Sequence, residues 1–218
     1  MTIAKLIDAV TTRADFAAAF NTLVDLANKI RPAYAVGRWY PAFLIGTVTT
    51  GTAVTANKIR MLPFIVPVDI TISDLAVRVA TAAAAGNVQV AIYAADANGD
   101  PTGAALAKTG NLSTATASSD VSLPLAAPVA LKAGLYFMAV NADNSTAQLQ
   151  TVGQSNNNMA CLIGVSALAD LSPGGNNNSE APLSIDQTFG TWPDLTGATF
   201  TRVTSNNTAL IRFKIASA

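Results

Sequence analysis

The stretch "VQVAIYAADANGDPTG", residues 88–103, decides how the chain reads. Its first half alternates in the period of a strand, Val88, Val90 and Ile92 on one side, Gln89, Ala91 and Tyr93 on the other. Its second half is polar and sets Asp96, Asn98 and Asp100 around Gly99. Oxygen ligands at alternate positions beside a glycine can hold calcium. The same letters also turn a β-hairpin, because Asn-Gly is a strong hairpin-turn signal and the aspartates can cap flanking backbone. A calcium loop of the EF-hand kind needs a bidentate Glu at its twelfth position, and counting from Asp96 that position is Ala107. The stretch therefore reads as two strands joined by a turn, with Asp96, Asn98 and Asp100 a weak candidate for a metal.

Outward from the hairpin, the same signals recur. "KIRMLPFIVPVDITI" is rich in β-branched and aromatic residues, and Pro63 and Pro67 suggest an edge or a bend. "LAVRVAT" alternates. "AAAAGN" reads as a loop in spite of its helical propensity, since Gly86-Asn87 breaks it. "DVSLPL", "PVALKAGLYFMAVNAD", "TAQLQTV", "MACLIGV" and "TALIRFKIAS" complete the set, with Gly134 marking a turn. Roughly eight or nine short strands with turn signals between them and no intervening long helix predict an antiparallel β-sandwich or jelly roll. Two segments, "GQSNNN" and "LSPGGNNNSEAPLS", are irregular loops, and "FGTWPDLTGATFT" holds Trp192 in a turn-rich setting.

The first part of the chain differs. Thr12 to Asp15 read as a capping box, with Asp in place of Glu. In the helix they open, Phe16, Phe20, Leu23, Ala27 and Ile30 fall at spacings of 4, 3, 4 and 3, a heptad seam, and Pro32 ends it. So short a seam is marginal alone and needs a partner, either its own domain or another subunit. The change of composition at Pro32 favours the second, so the division expected is a helical attachment or oligomerisation segment over 1–32 and a β head over 33–218.

Composition narrows the function classes. The apolar share is 50%, much of it alanine, and only 12% of residues are charged, about half the usual ~25%. A surface so poor in charge is covered by small polar residues or buried against other subunits. The 13 basic and 13 acidic residues balance, and no Lys or Arg lies between Ala133 and Thr201, whereas Asp143, Asp170, Glu180, Asp186 and Asp194 do. A nucleic-acid partner is not expected, since it calls for a basic face. Histidine is absent, which removes imidazole-dependent catalysis and imidazole zinc sites. Cys161 stands alone in an apolar run, so no internal disulfide forms. No apolar run reaches the length that spans a membrane, and "MTIAKLIDAVTT" is a poor signal peptide.

Three elements in order carry a resemblance: "GRWYPA", then "NKIRMLPFIVPVDITISDLAVRVATAAAAGNVQVAIYAADANGDPTGAALAKTG", then "VSLPLAAPVALKAGLYFMAVNAD". This succession, over roughly residues 37–165, resembles the β-sandwich domain of tail-fibre-like and minor structural proteins of tailed bacteriophages. It is also similar to carbohydrate-binding-module jelly rolls. The resemblance implies a virion structural component, often trimeric, assembled in the host cytoplasm and docked to other virion proteins through its N-terminal helix. It carries over no catalytic residue and implies no cofactor.

Three sites are candidates. Sugar recognition pairs an aromatic face with side-chain amides and carboxylates. Trp192 with Asp194 is the best such pair, with Asn156, Asn157 and Asn158 as polar neighbours, and a host-surface glycan is the partner expected. The plainer reading is that Trp192 fills a gap under its loop. Trp39 and Tyr40 are expected to pack where the helix meets the β domain. Catalysis would have to rest on a pair such as Asp186 and Asp194, and an enzyme is not expected. The metal candidate is the hairpin turn already described.

Overall fold

The computed structural model describes residues 17–23, 34–42, 47–153, 183–202 and 207–218. The chain divides into two compact units, Met1–Ala33 and Tyr34–Ala218. In the first, residues 17–23 are helical, and Phe20 and Leu23 are exposed. Phe16, Ala27 and Ile30 of the expected seam lie outside the described residues, as do the capping box, Cys161 and "MACLIG".

The second unit is a β-sandwich. Its strands in chain order are β1 (Trp39–Pro41), β2 (Thr47–Ala53), β3 (Lys58–Val66), β4 (Ile70–Thr81), β5 (Asn87–Ala95), β6 (Pro101–Lys108), β7 (Leu112–Ser113), β8 (Ser119–Leu131), β9 (Gly134–Ala142), β10 (Gln148–Gly153), β11 (Leu183–Asp186), β12 (Thr201–Arg202), β13 (Asn207–Ala209) and β14 (Arg212–Ser217). One sheet holds β1, β2, β4, β8, β10, β13 and β14; the other runs β12-β11-β3-β9-β5-β6, with β7 beside β5. Every ladder between these strands is antiparallel. From β3 to β5, and again from β7 to β11, each connection passes from one sheet to the other.

The expected hairpin is present: β5 pairs with β6, and the turn between them is closed by Asp96 N–H donating to the Asp100 carbonyl at 2.8 Å. "AAAAG" forms the loop between β4 and β5, and Asn87 opens β5. Pro63 lies where β3 keeps β9 on one side but has run past β11, whose pairing covers Lys58 to Met61. Its missing N–H is therefore tolerated as on an edge strand. Two strands are longer than the short ones expected: β4 has 12 residues and β8 has 13. They stay together across a break in register between Ile72 and Asp74, where β8 passes from Val129 to Pro124 and carries the extra residues. Buried positions on β4 move there from Ile70 and Ile72 to Leu75, Val77 and Val79. Against β14, where Lys214 and Ile215 pair with Asp74 and Ile72, β4 carries one extra residue, a bulge that returns the apolar face to the core.

The main core lies between the sheets. Leu62, Phe64, Val88, Val90, Ile92, Met138 and Val140 from one sheet meet Leu75, Val77, Leu149, Phe213 and Ile215 from the other. The sheet of β3, β5 and β9 is buried on its outer face as well. Ile59, Met61, Ala91, Tyr93, Phe137 and Ala139 form a second cluster there with Leu183 and Leu195. Burial on both faces explains why these strands read as near-continuous apolar runs.

Candidate functional site

The second cluster settles the surroundings of Trp192. The segment 187–200 lies over the outer face of the β3–β9–β5 sheet, with Leu195 buried and Trp192, Ala198 and Phe200 partly buried against the cluster. Trp192 sits 6.2 Å from the Tyr93 ring, and its indole N–H donates to Gln89 Oε1 at 3.1 Å. Tyr93 O–H donates to the Pro193 carbonyl at 3.0 Å, and Leu195 N–H to the Gly103 carbonyl at 2.9 Å. Asp194 is exposed, and its Oδ1 accepts Thr196 N–H at 2.9 Å; that bond holds its carboxyl below the usual range. Trp192 thus fastens a covering segment to the sheet. Asn156, Asn157 and Asn158 lie outside the described residues.

The hairpin aspartates are likewise engaged. Asp96 Oδ1 accepts Asn98 N–H at 2.8 Å and Asp100 N–H at 3.0 Å, and the backbone bond from Asp100 is the main cause that holds its carboxyl below the usual range. Gly99 takes a φ of +87°, the left-handed conformation the turn requires. The described residues contain no cluster of three or more metal-ligating side chains. Asp186 pairs with Lys58 at 3.0 Å, while Asp194 turns its own loop, so each of the two acids weighed for catalysis has a local partner of its own.

A further site lies on the other sheet, whose outer face carries exposed side chains on β1 and β8. Alternation along β4 points Ala76 and Arg78 outward between the buried Leu75, Val77 and Val79. Register places Pro41, Arg212, Ala76 and Ser122 in one row across β1, β14, β4 and β8, and Trp39, Lys214, Asp74 and Pro124 in the next. Arg78 stands opposite Asp120. Because Ala76 is small, the row dips at β4. Trp39, Arg78, Asp120, Ser122, Gln150 and Arg212 line a depression of about 570 Å³ over it.

Asp120 is the centre of this depression. Its Oδ2 accepts from Arg78 Nη1 at 2.7 Å and its Oδ1 from Arg212 Nη1 at 2.8 Å. Arg212 Nη2 also donates to Gln150 Oε1. Arg212 therefore reaches over β4, above Ala76, to a carboxylate on β8. Two guanidiniums share one carboxylate, so the cluster keeps an excess positive charge. Side-chain exposure is 24% for Arg212, 35% for Arg78 and 60% for Asp120, so the network is held in place yet wet. Trp39 keeps 40% of its surface exposed beside it.

Trp39 and Tyr40 were both expected to pack. Tyr40 does, at 4.9 Å from the Tyr34 ring and stacked at 6.1 Å on Phe213. Trp39, one residue earlier on β1, faces the open side. Arg78, Asp120, Ser122, Gln150 and Arg212 were not singled out from the sequence. Their one signal there is that four of them are charged or amide side chains at outward positions of alternating strands. Their convergence follows from strand order. No family model matches the chain, and the search of curated proteins found no similar one.

Proposed function

We propose that this chain is a structural attachment protein of a virion, a tail-fibre, spike or capsid-decorating component that acts by binding and without chemistry. In this reading the N-terminal helical unit joins copies of the chain and docks them to other virion proteins. The β-sandwich is the head that meets the host surface. The observation that carries the reading is the asymmetry of the sandwich. One sheet is buried on its inner face against the other sheet and on its outer face under the segment 187–200, whereas the other presents an outer face bearing the exposed Trp39 and a charged network. The network of Arg78, Asp120 and Arg212 stands beside this exposed indole, so charged and aromatic groups meet on one face. The sparse charge of the chain also suits packing against other copies.

The test has two parts. Antibody against the full chain should decorate intact particles, and the purified chain should adhere to the bacteria those particles infect. Particles that stay unlabelled would remove the virion reading. A second reading, a carbohydrate-binding module or adhesin outside a virion, rests on the same open face. It is the one retained if cells bind the protein and particles do not carry it.

A further inference from the structure

Resting on the reading of the sandwich as a binding head, we infer that the depression over Ala76 binds a saccharide that carries a carboxylate, with Trp39 as its stacking platform and Arg212 and Arg78 as the groups that take the anion. The volume, about 570 Å³, lies within the range of small-molecule sites. A sugar ring offers an apolar C–H face and a rim of hydroxyls that both donate and accept. The depression matches that with an exposed indole on one side and with donors and acceptors together on the floor: guanidinium N–H groups, the Asp120 carboxylate, the Gln150 amide and the Ser122 hydroxyl.

Charge selects the class of sugar. Arg78 and Arg212 outnumber Asp120, and in the neighbouring row Lys214 and Asp74 cancel. One net positive charge suits one carboxylate, and a guanidinium receives it through two parallel N–H bonds. A bare phosphate or a nucleic-acid backbone would want donors alone, and Asp120 at the centre opposes it. An extended peptide would seek the unpaired backbone of a sheet edge, whereas β4 and β14, which carry both arginines, have neighbours on both sides. The arginine–aspartate–glutamine network already fixes the guanidinium planes, so little side-chain freedom is left to lose on binding.

The experiment uses the full chain and two acidic probes, trigalacturonate and a hyaluronan tetrasaccharide, against chitotetraose as the neutral counterpart. Titration is followed by tryptophan fluorescence and calorimetry. At least one acidic probe should bind saturably, more tightly than chitotetraose, and more weakly as salt rises from about 50 to about 500 mM. Trp39→Ala and Arg212→Lys should each weaken binding by about tenfold or more, the loss of a hot-spot contact, whereas Trp192→Phe should leave it intact. Arg78→Lys repeats the test should either variant fold poorly. The inference is overturned if neither acidic probe binds up to about 10 mM, well below the weakest site of use, if chitotetraose binds equally well, or if Trp39→Ala retains full affinity. Protein that still adheres to cells while both acidic probes fail removes this ligand and leaves the head. Loss of adhesion and of particle labelling removes the head reading, whatever the probes show.

Discussion

Tyr93 shows how a single side chain joins two parts of the head. Its ring is fully buried on the outer face of β5, and its hydroxyl holds the Pro193 carbonyl of the covering segment. Burial first, and the charge of Asp194 second, push its phenol up to about 12. A folded pKa raised above the unfolded value of about 10 means that the stabilisation is complete below about 10 and is lost as pH climbs towards 12. Ultraviolet titration of the tyrosines should therefore show a late step near pH 12 that coincides with loosening of the fold. Tyr93→Phe should remove that step and lower stability by about 1 kcal/mol through the lost hydrogen bond; a titration unchanged in this variant would refute the assignment. Arg60 makes the opposite case. It lies on the core-facing side of β3 among Val140, Leu149 and Ala209, gives one bond of 3.0 Å to Thr55, and buries an Nε with no hydrogen-bond partner. Desolvation lowers its pKa, the mark of a charge held at a cost. Arg60→Met keeps the stem and removes the charge, so it should be neutral or stabilising by about 1 kcal/mol in denaturant unfolding. A loss of that size would show that the guanidinium is needed.

At the scale of elements, what the sequence disclosed followed the range of the interactions. Alternation in "VQVAIYA" and the Asn98-Gly99 turn report on neighbours along the chain, and β5, β6 and their hairpin formed where these signals lay. The bulge in β4 is also present in the letters, as the apolar phase shifts between Ile72 and Leu75, but it is easily passed over in so apolar a strand. The covering segment 187–200 left no such trace. It has no period, because it is fixed by contacts with Tyr93, Gln89 and Gly103 that lie far off in sequence. The open site was illegible for the same reason: β1, β4, β8, β10 and β14 supply its residues, and only strand order brings them together. Trp192 reads as a sugar platform because it stands near Asp194 in a loop; its indole N–H is donated to Gln89 on β5. Trp192→Ala should then act on the element. Thermal unfolding should report a loss of about 2–3 kcal/mol, somewhat less than for a fully buried tryptophan, with affinity for acidic saccharide unchanged. A variant as stable as the parent but unable to bind saccharide would return the site to Trp192.

For the whole molecule, the proposed function requires that many heads act together, since one shallow, wet site holds a single sugar weakly and copies on one scaffold multiply the hold. The β unit can supply the binding because its core is its own, built between its two sheets. In the proposed reading the joining of copies falls to the helical unit, where Phe20 and Leu23 are 54% and 55% exposed and stand three residues apart on one helical face. Large apolar side chains this open on a helical face gain from burial against a symmetry mate. Light scattering of the full chain should accordingly report a multiple of 22.3 kDa, threefold for the expected trimer. Placing aspartate at both positions, Phe20→Asp with Leu23→Asp, should return the mass to one chain, because a carboxylate cannot be buried unpaired in an apolar seam. The thermal transition of the sandwich and its affinity for acidic saccharide should not move, while adhesion to cells should fall far more than tenfold as avidity is lost. An intact chain that runs at 22.3 kDa at all concentrations, or a double variant that assembles as before, would separate the helix from assembly and leave the head to act alone.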